Sequence, residues 1–321
     1  LIIIGFEKDS KYKITEIPVI FLNKTRVLNS FFALTKILRK HKPKVVVSAI
    51  SHLNVFMGFI SLLFPKMKFI GRHTIVTIAD QKFKKEYKKQ TLVKRLGKPV
   101  GFGLNFLDVI LCQSTDMYND MKNKNVPEHK LKIVNNPITD NFKLKSKNVE
   151  KGDVTKFITV ARISKNKGHQ RIINALLKVN FPFQYTIIGD GKEKDNLFRY
   201  INEIGMQDKI IYIPYTTEVP KYLSESDFYL MGSYSEGLPN SLIESCSSGT
   251  PALAFKAPGG LNEIIIDGVN GFLVDNETQF VEKLNDTRDW DPKQVRESVY
   301  SKFNKTKIIN DYEKLFVEIL N

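Results

Sequence analysis

Two glutamates, Glu236 and Glu244, stand eight positions apart across a junction that the residues mark as strand, turn and helix. The apolar run Phe228–Met231 predicts a buried strand, Gly237 and Pro239 predict a turn, and a helix is expected over Asn240–Ser247. Glu236 then sits at the strand's carboxyl end. With Pro239 at the first helical position, the N–H groups of Asn240, Ser241 and Leu242 are expected to be free and to face the same crevice, an end that attracts phosphate. Glu244 lies roughly 7.5 Å further along a helix that rises 1.5 Å per residue. A nucleoside diphosphate at the helix tip could offer its ribose to one carboxylate and a sugar to the other.

Gly249, Thr250 and Pro251 end the helix, a short strand is expected over Ala252–Phe255, and residues 257–260 form a Gly-rich turn three residues before Glu263. Taken singly, glutamates at this spacing are common as solvated helix charges, and Gly–Pro clusters mark ordinary turns. In this order, with SEGLPN and GTP as punctuation, residues 235–271 resemble the donor-binding signature of the retaining glycosyltransferases with the two-domain GT-B fold and a Glu-x7-Glu motif, the group 1 or family 4-like enzymes.

That resemblance implies roles. Glu236 positions the sugar hydroxyls and Glu244 the ribose, while Gly237, Leu238, Pro239, Asn240 and Ser241 belong to the donor site. Arg162 and Lys167, after a strand at 157–161 and before a helix at 170–177, resemble the family's diphosphate clamp, two cations that neutralise the leaving nucleotide. Gly189, in a Gly-Asp-Gly turn, falls at a strand's carboxyl edge, where ligands lie in open α/β sheets. Tyr215 falls next to the base, although the family's following Gly is absent from Ile213-Pro214-Tyr215, so the base is not specified. A histidine at the end of the strand 68–70 lies in the family beside donor sugar and acceptor; His73 matches, His52 competes, and Arg72 is placed to pair with an acceptor phosphate. Asp108, Ser114 and Asn136 read as structural. The resemblance also implies a front-face route in which the leaving phosphate helps deprotonate the acceptor, with no dedicated base, no metal and no cofactor. Asp289-Trp290-Asp291 imitates the metal-binding pair of the other glycosyltransferase fold, but precedes Pro292 and reads as loop.

Length and charge set the frame. A chain of 321 residues exceeds a usual single core and favours two domains. Two cysteines make neither a disulfide framework nor a metal cluster and suit a reducing cytosol. No signal peptide is apparent, and the apolar run 55–65 is too short to cross a bilayer. Residues 1–150 hold 28 Lys/Arg and 11 Asp/Glu, whereas the remainder holds 21 and 23. Residues 81–98 carry eight Lys/Arg against Glu86, with Phe83 and Tyr87 at helical spacing, which suggests a surface for anionic lipid or a lipid-linked pyrophosphate. Charge alone also fits nucleic acid, but no nucleic-acid motif is present, and none is expected as partner.

The expected fold is α/β: GT-B, two doubly wound Rossmann-like domains facing a cleft, with a C-terminal helix crossing back to the first. The expected division is an acceptor-side domain at 1–146, a nucleotide-sugar domain at 147–300 and a returning helix at 301–321. The strands at 1–6 and 13–21, a helix at 27–39 and the strand Val45–Ala49 resemble the family from its second strand onward, so the first strand and Gly-rich loop are expected to be missing. The function expected is transfer of a sugar, with retention, from a nucleotide-diphosphate donor, UDP favoured, to a glycan or polyprenyl-diphosphate-linked acceptor. The setting expected is bacterial surface-glycan assembly at the inner, cytoplasmic face of the cell membrane. A nucleotide-sugar epimerase of related fold and a non-catalytic sugar-nucleotide or membrane-binding protein are the alternatives.

Overall fold

The computed structural model describes residues 3–5, 17–24, 26–74, 76, 102–146, 153–286 and 288–321. The basic stretch 81–98 lies outside them, as does part of the polar stretch 143–156.

In the first half, β1 (Ile3–Gly5) and β2 (Val19–Phe21) form a parallel pair. β3 (Val45–Ala49), β4 (Lys68–Arg72), β5 (Val109–Cys112) and β6 (Leu131–Ile133) form a separate parallel sheet in chain order. The helices described here are α1 (Phe31–His41), α2 (Ser51–Ser61) and α3 (Thr115–Lys122). The helix expected at 27–39 starts later and ends later. Residues Val27–Ser30 wind as a 3-10 turn instead, and α1 stops where Lys42 turns left-handed, its N–H on the Leu38 carbonyl, ahead of Pro43, which cannot continue a helix.

The second half is one six-stranded parallel sheet of order β12-β11-β10-β7-β8-β9. Its strands are β7 (Thr155–Val160), β8 (Phe183–Ile188), β9 (Ile210–Ile213), β10 (Phe228–Met231), β11 (Ala252–Phe255) and β12 (Gly271–Val274). Between them run α4 (His169–Leu176), α5 (Lys194–Glu203), α6 (Val219–Ser224), α7 (Asn240–Ser247) and α8 (Leu261–Ile264), followed by α9 (Glu277–Leu284) and α10 (Pro292–Phe303). The chain builds outward from β7 to β9, returns to the centre at β10 and builds the other way. Neighbouring connections at β7 and β10 therefore leave on opposite faces, and a crevice opens between them at the carboxyl ends. That switch point brings the loop after Val160 beside the loop after Met231.

Both faces of this sheet are covered. Ile172, Ile173 and Leu176 of α4 pack with Phe280 on one side, and Leu242, Ile243 and Cys246 of α7 pack with Val295, Val299 and Phe303 on the other. The last helix, α11 (Lys305–Leu320), leaves the second half altogether. Its Ile308 and Leu315 are buried with Ile70, Val109 and Leu111 of the first sheet and Val134 just past β6, and Tyr312, Phe316 and Ile319 pack around them. Lys132 meets Glu318 at 2.6 Å on the rim of this contact.

Candidate donor site at the sheet's switch point

β10 is buried along its whole length, and its continuation leads the chain into the crevice with Glu236 only 7% exposed. Across the switch point, the 3-10 turn at Lys165–Lys167 brings Lys167 Nζ to 2.6 Å from Glu236 Oε1. Two of the expected site residues are thus in direct contact. Arg162 is exposed at the mouth of the same loop. Gly189 sits beneath it with φ at +140°, and a Cβ there would fall 2.1 Å from the Ala161 carbonyl, so only glycine lets the turns after β7 and β8 close on each other. Ile163 N–H then donates to Asp190 O at 2.9 Å and Gly189 N–H to Ile213 O at 2.9 Å. Tyr215 is exposed just past β9, the outer strand.

The helix tip differs from expectation by one position. Pro239 is the cap, with extended ψ, rather than the first helical residue, and Asn240 opens α7. The Pro239 carbonyl accepts from Leu242 N–H at 3.2 Å and Ile243 N–H at 3.3 Å, so the Leu242 donor is consumed. Asn240 and Ser241 are left as the outward-facing donors. One turn on, Glu244 is half-buried, its carboxyl without a partner among the described residues, and burial raises its pKa from 4.5 to about 7. Nearby, Tyr229 Oη and Ser241 Oγ lie 2.7 Å apart.

His73 is buried, with Nε2 4.0 Å from Asp120 Oδ2, which also takes Lys124 Nζ at 2.8 Å. The loop that follows His73 touches the other half of the chain: Val76 N–H donates to Glu236 O at 3.3 Å, and a Cβ on Gly237 would fall 2.4 Å from Thr74 O. The competitor His52 is exposed on α2. Arg72 is not left for an acceptor phosphate. Its Nη2 donates to Asn136 Oδ1 at 2.5 Å, the Asn136 amide donates to Asn240 Oδ1 at 2.6 Å, and the Gln113 amide oxygen, turned toward Arg72, accepts from it at 2.6 Å. Asn136 therefore links the end of the first sheet to the tip of α7, a structural role.

Other residues that motif reading missed hold this arrangement. Arg171 of α4 donates to the carbonyls of Gly232 at 2.5 Å and of Ser233, with its guanidinium 4.2 Å above the Tyr234 ring and 4.0 Å from that of Phe255. Asn166 donates to Ser235 O at 2.9 Å, and its carbonyl accepts from Tyr234 N–H at 2.8 Å. The loop bearing Glu236 is thereby fastened to the loop bearing Lys167. Across the cleft, Glu263 accepts from Thr115 N–H at the start of α3, Asp116 accepts from Gly259 N–H at 2.9 Å, and Ser114, which also caps α3, donates to Gly237 O at 3.2 Å. Between α3 and residues 256–262 lies a cavity of about 500 Å³ lined by Val76, Asp116, Asn119, Asp120, Lys256 and Pro258. Asp291 caps α10 through Lys293 N–H at 3.1 Å, as a loop residue should, and Trp290 packs on Phe228 and Phe272.

Residues 140–297 match the family model described as "Glycosyl transferases group 1". An uncharacterized glycosyltransferase of Methanocaldococcus jannaschii is 24% identical over 262 residues, 76% of this chain and 63% of its own length. The N-acetylgalactosamine-N,N'-diacetylbacillosaminyl-diphospho-undecaprenol 4-alpha-N-acetylgalactosaminyltransferase of Campylobacter jejuni is 29% identical over 166 residues, 49% of this chain and 45% of its own. The chain thus spans less than two thirds of these two relatives. Among solved structures, Anabaena HepE in complex with UDP superposes with a TM-score of 0.77 at 17% identity, covering 94% of this chain and 86% of that one. Likeness at that level gives the fold, which is GT-B with its two parallel-sheet halves.

Proposed function

We propose, on the premise that residues 140–297 belong to the group 1 glycosyl transferases, that this chain transfers a sugar from a nucleotide-diphosphate donor to a glycan or lipid-linked acceptor. The observation that carries the reading is the meeting of Lys167 and Glu236 at 2.6 Å at the switch point, one helix tip away from Glu244. A buried carboxylate for the sugar, a cation and two N–H groups for the diphosphate, and a second carboxylate one helical turn on for the ribose are the parts a sugar nucleotide needs.

In this reading the diphosphate lies against Lys167, Arg162 and the N–H groups of Asn240 and Ser241, which stabilise the charge that grows on the leaving phosphate. Glu236 accepts hydrogen bonds from the sugar hydroxyls and Glu244 meets the ribose, while Gly189 and the turn at Gly237, Leu238 and Pro239 give the backbone its close approach and Tyr215 borders the base. The bond from the anomeric carbon to the phosphate oxygen breaks, a bond to the acceptor oxygen forms on the same face, and the acceptor proton passes to the leaving phosphate. The configuration is retained, and the step calls on neither a protein base nor a metal. His73 lies on the acceptor side, oriented by Asp120. Functionally, residues 1–146 hold the acceptor, 147–300 the donor, and 301–321 tie the two.

UDP is the favoured carrier, and a polyprenyl-diphosphate-linked acceptor is supported by the diphospho-undecaprenol acceptor that the Campylobacter relative is named for. With a basic first half, the setting follows: peripheral attachment to the inner face of a bacterial membrane, on the cytoplasmic side. The test is transfer from a panel of UDP-sugars to short lipid-diphosphate acceptors, with the anomeric configuration read by NMR. Hydrolysis-free binding of UDP with no transfer to any acceptor, or an epimerised nucleotide sugar as product, would overturn it.

A further inference from the structure

The cavity of about 500 Å³ between α3 and residues 256–262 takes no part in the donor site. Strand order gives its place. Past the carboxyl ends of β9, β8, β7 and β10 come Tyr215, Gly189, Lys167 and Glu236 in turn, so a donor laid along them runs from base through diphosphate to sugar, and β11 is the next strand outward. The chain leaving β11 supplies Lys256 and Pro258 to the cavity wall. Asp120, whose carboxylate lies 4.0 Å from His73 Nε2, belongs to the same wall. The cavity therefore stands one strand beyond the sugar end of the donor and beside the acceptor-side histidine.

Its lining says what it would hold. Asp116, Asn119, Asp120 and Asn123 recur at helical spacing, which puts all four on one face of α3 and its cap, and Asn262 comes from the other half of the chain. The amides of Asn119, Asn123 and Asn262 are exposed and make no hydrogen bond among the described residues, and each offers two donors and an acceptor. Val76, Pro258 and Leu261 add apolar wall. A phosphate would call for cations or a free helix N-terminus. Among the described lining residues Lys256 is the single cation and is paired with Asp275 at 3.0 Å, while the Thr115 N–H at the start of α3 is taken by Glu263. Asp116 and Asp120 would repel an anion. Amides and carboxylates around an apolar wall match a neutral ligand with many hydroxyls and C–H faces, which is a sugar ring.

We propose that this cavity seats the acceptor by a neutral sugar ring, so that the chain extends a glycan already begun rather than adding a first sugar to a lipid phosphate. Asn119 and Asn123 from the first half and Asn262 from the second exchange hydrogen bonds with the ring hydroxyls, the free oxygen of Asp116 accepts another, and Val76 and Pro258 meet the C–H face. The inference rests on the sugar-transfer reading for its purpose and on the cavity for its evidence.

Saturation-transfer NMR of the whole chain with UDP tests it, using octyl glycosides of glucose, galactose, mannose and their N-acetylated amino sugars, with octyl phosphate and octyl glucuronide as anionic controls. At least one neutral glycoside is expected to take up magnetisation at its ring protons and to bind at least tenfold more tightly than either anion. Asn119→Ala/Asn262→Ala should weaken that binding at least tenfold and raise the acceptor KM by a like factor, with melting temperature and UDP affinity unchanged. No uptake from any neutral glycoside, octyl phosphate bound as tightly as the sugars, or undiminished binding in the folded variant would overturn the proposal. Glycoside binding that is lost as expected, in a chain that transfers no sugar, upholds the subsite and sinks only the transfer reading.

Discussion

Lys167 Nζ and Glu236 Oε1 lie 2.6 Å apart, joining the β7 side of the switch point to the β10 side through one ion pair. Glu236 is almost wholly buried, so removing its partner strands a carboxylate in the crevice. Lys167→Ala should lower stability by about 1–3 kcal/mol and also abolish most turnover. Lys167→Ala/Glu236→Gln should recover the melting temperature without recovering kcat. A double variant no more stable than the single one would show that the pair is not coupled.

Glu244 makes a pH signature. The unfolded chain releases this proton near pH 4.5 and the folded chain only near 7, so stability falls as pH rises across that interval, by about 3 kcal/mol in all. Glu244→Gln should remove that slope and weaken UDP binding. Thermal melts at pH 4.5 and 7.5, with and without UDP, check both.

His169 acts with the opposite sign. Its ring nitrogens have no hydrogen-bond partner among the described residues, and burial lowers its pKa from 6.5 to about 4, with Lys167 adding to the effect. The unfolded chain is therefore protonated first, and stability falls as pH drops from 6.5 toward 4. Where the two intervals overlap, Glu244 and His169 offset each other. His169→Leu should leave the Glu244 slope alone in view, with a chain more stable at pH 5 than the parent. An unchanged pH profile would contradict the buried neutral ring.

Arg171 should matter more to rate than to folding. It reaches Gly232 and Ser233 carbonyls in the loop that bears Glu236, while α4 itself is held by its buried apolar side. Arg171→Met keeps the stem's packing and removes the donors that hold the two loop carbonyls. The expected outcome is a fall in kcat of at least tenfold with KM for the donor changed less, as for a group that holds a catalytic side chain in place. A loss confined to melting temperature would make Arg171 structural only.

Much of the second half could be read from residue order. Apolar runs and helix signals marked β7, β8, β10 and β11, and Asn240–Ser247 begins and ends where Pro239 and Gly249 require. The exception at that tip is instructive. Proline suits the cap and the first helical position alike, and only the tertiary path of residues 232–239, tied down by Arg171 and Asn166, selected the cap and so consumed the Leu242 donor. Arg72 shows the same limit. An exposed-looking cation after a strand gives no sign that Asn136 and Gln113 will arrive beside it from the loops after two other strands.

By itself the sequence determined which residues carry charge, which runs must be buried and in what order strands and helices alternate, because those depend on side-chain type and local backbone preference. That was enough to fix Glu236, Glu244, Arg162 and Lys167 to the ends of particular strands and helices. Only the tertiary structure decided that Lys167 pairs with Glu236, that Glu263 reaches Thr115 across the cleft and that the Glu244 carboxyl has no partner among the described residues. Those contacts arise where separate loops land against one another, and so no spacing in the chain announces them.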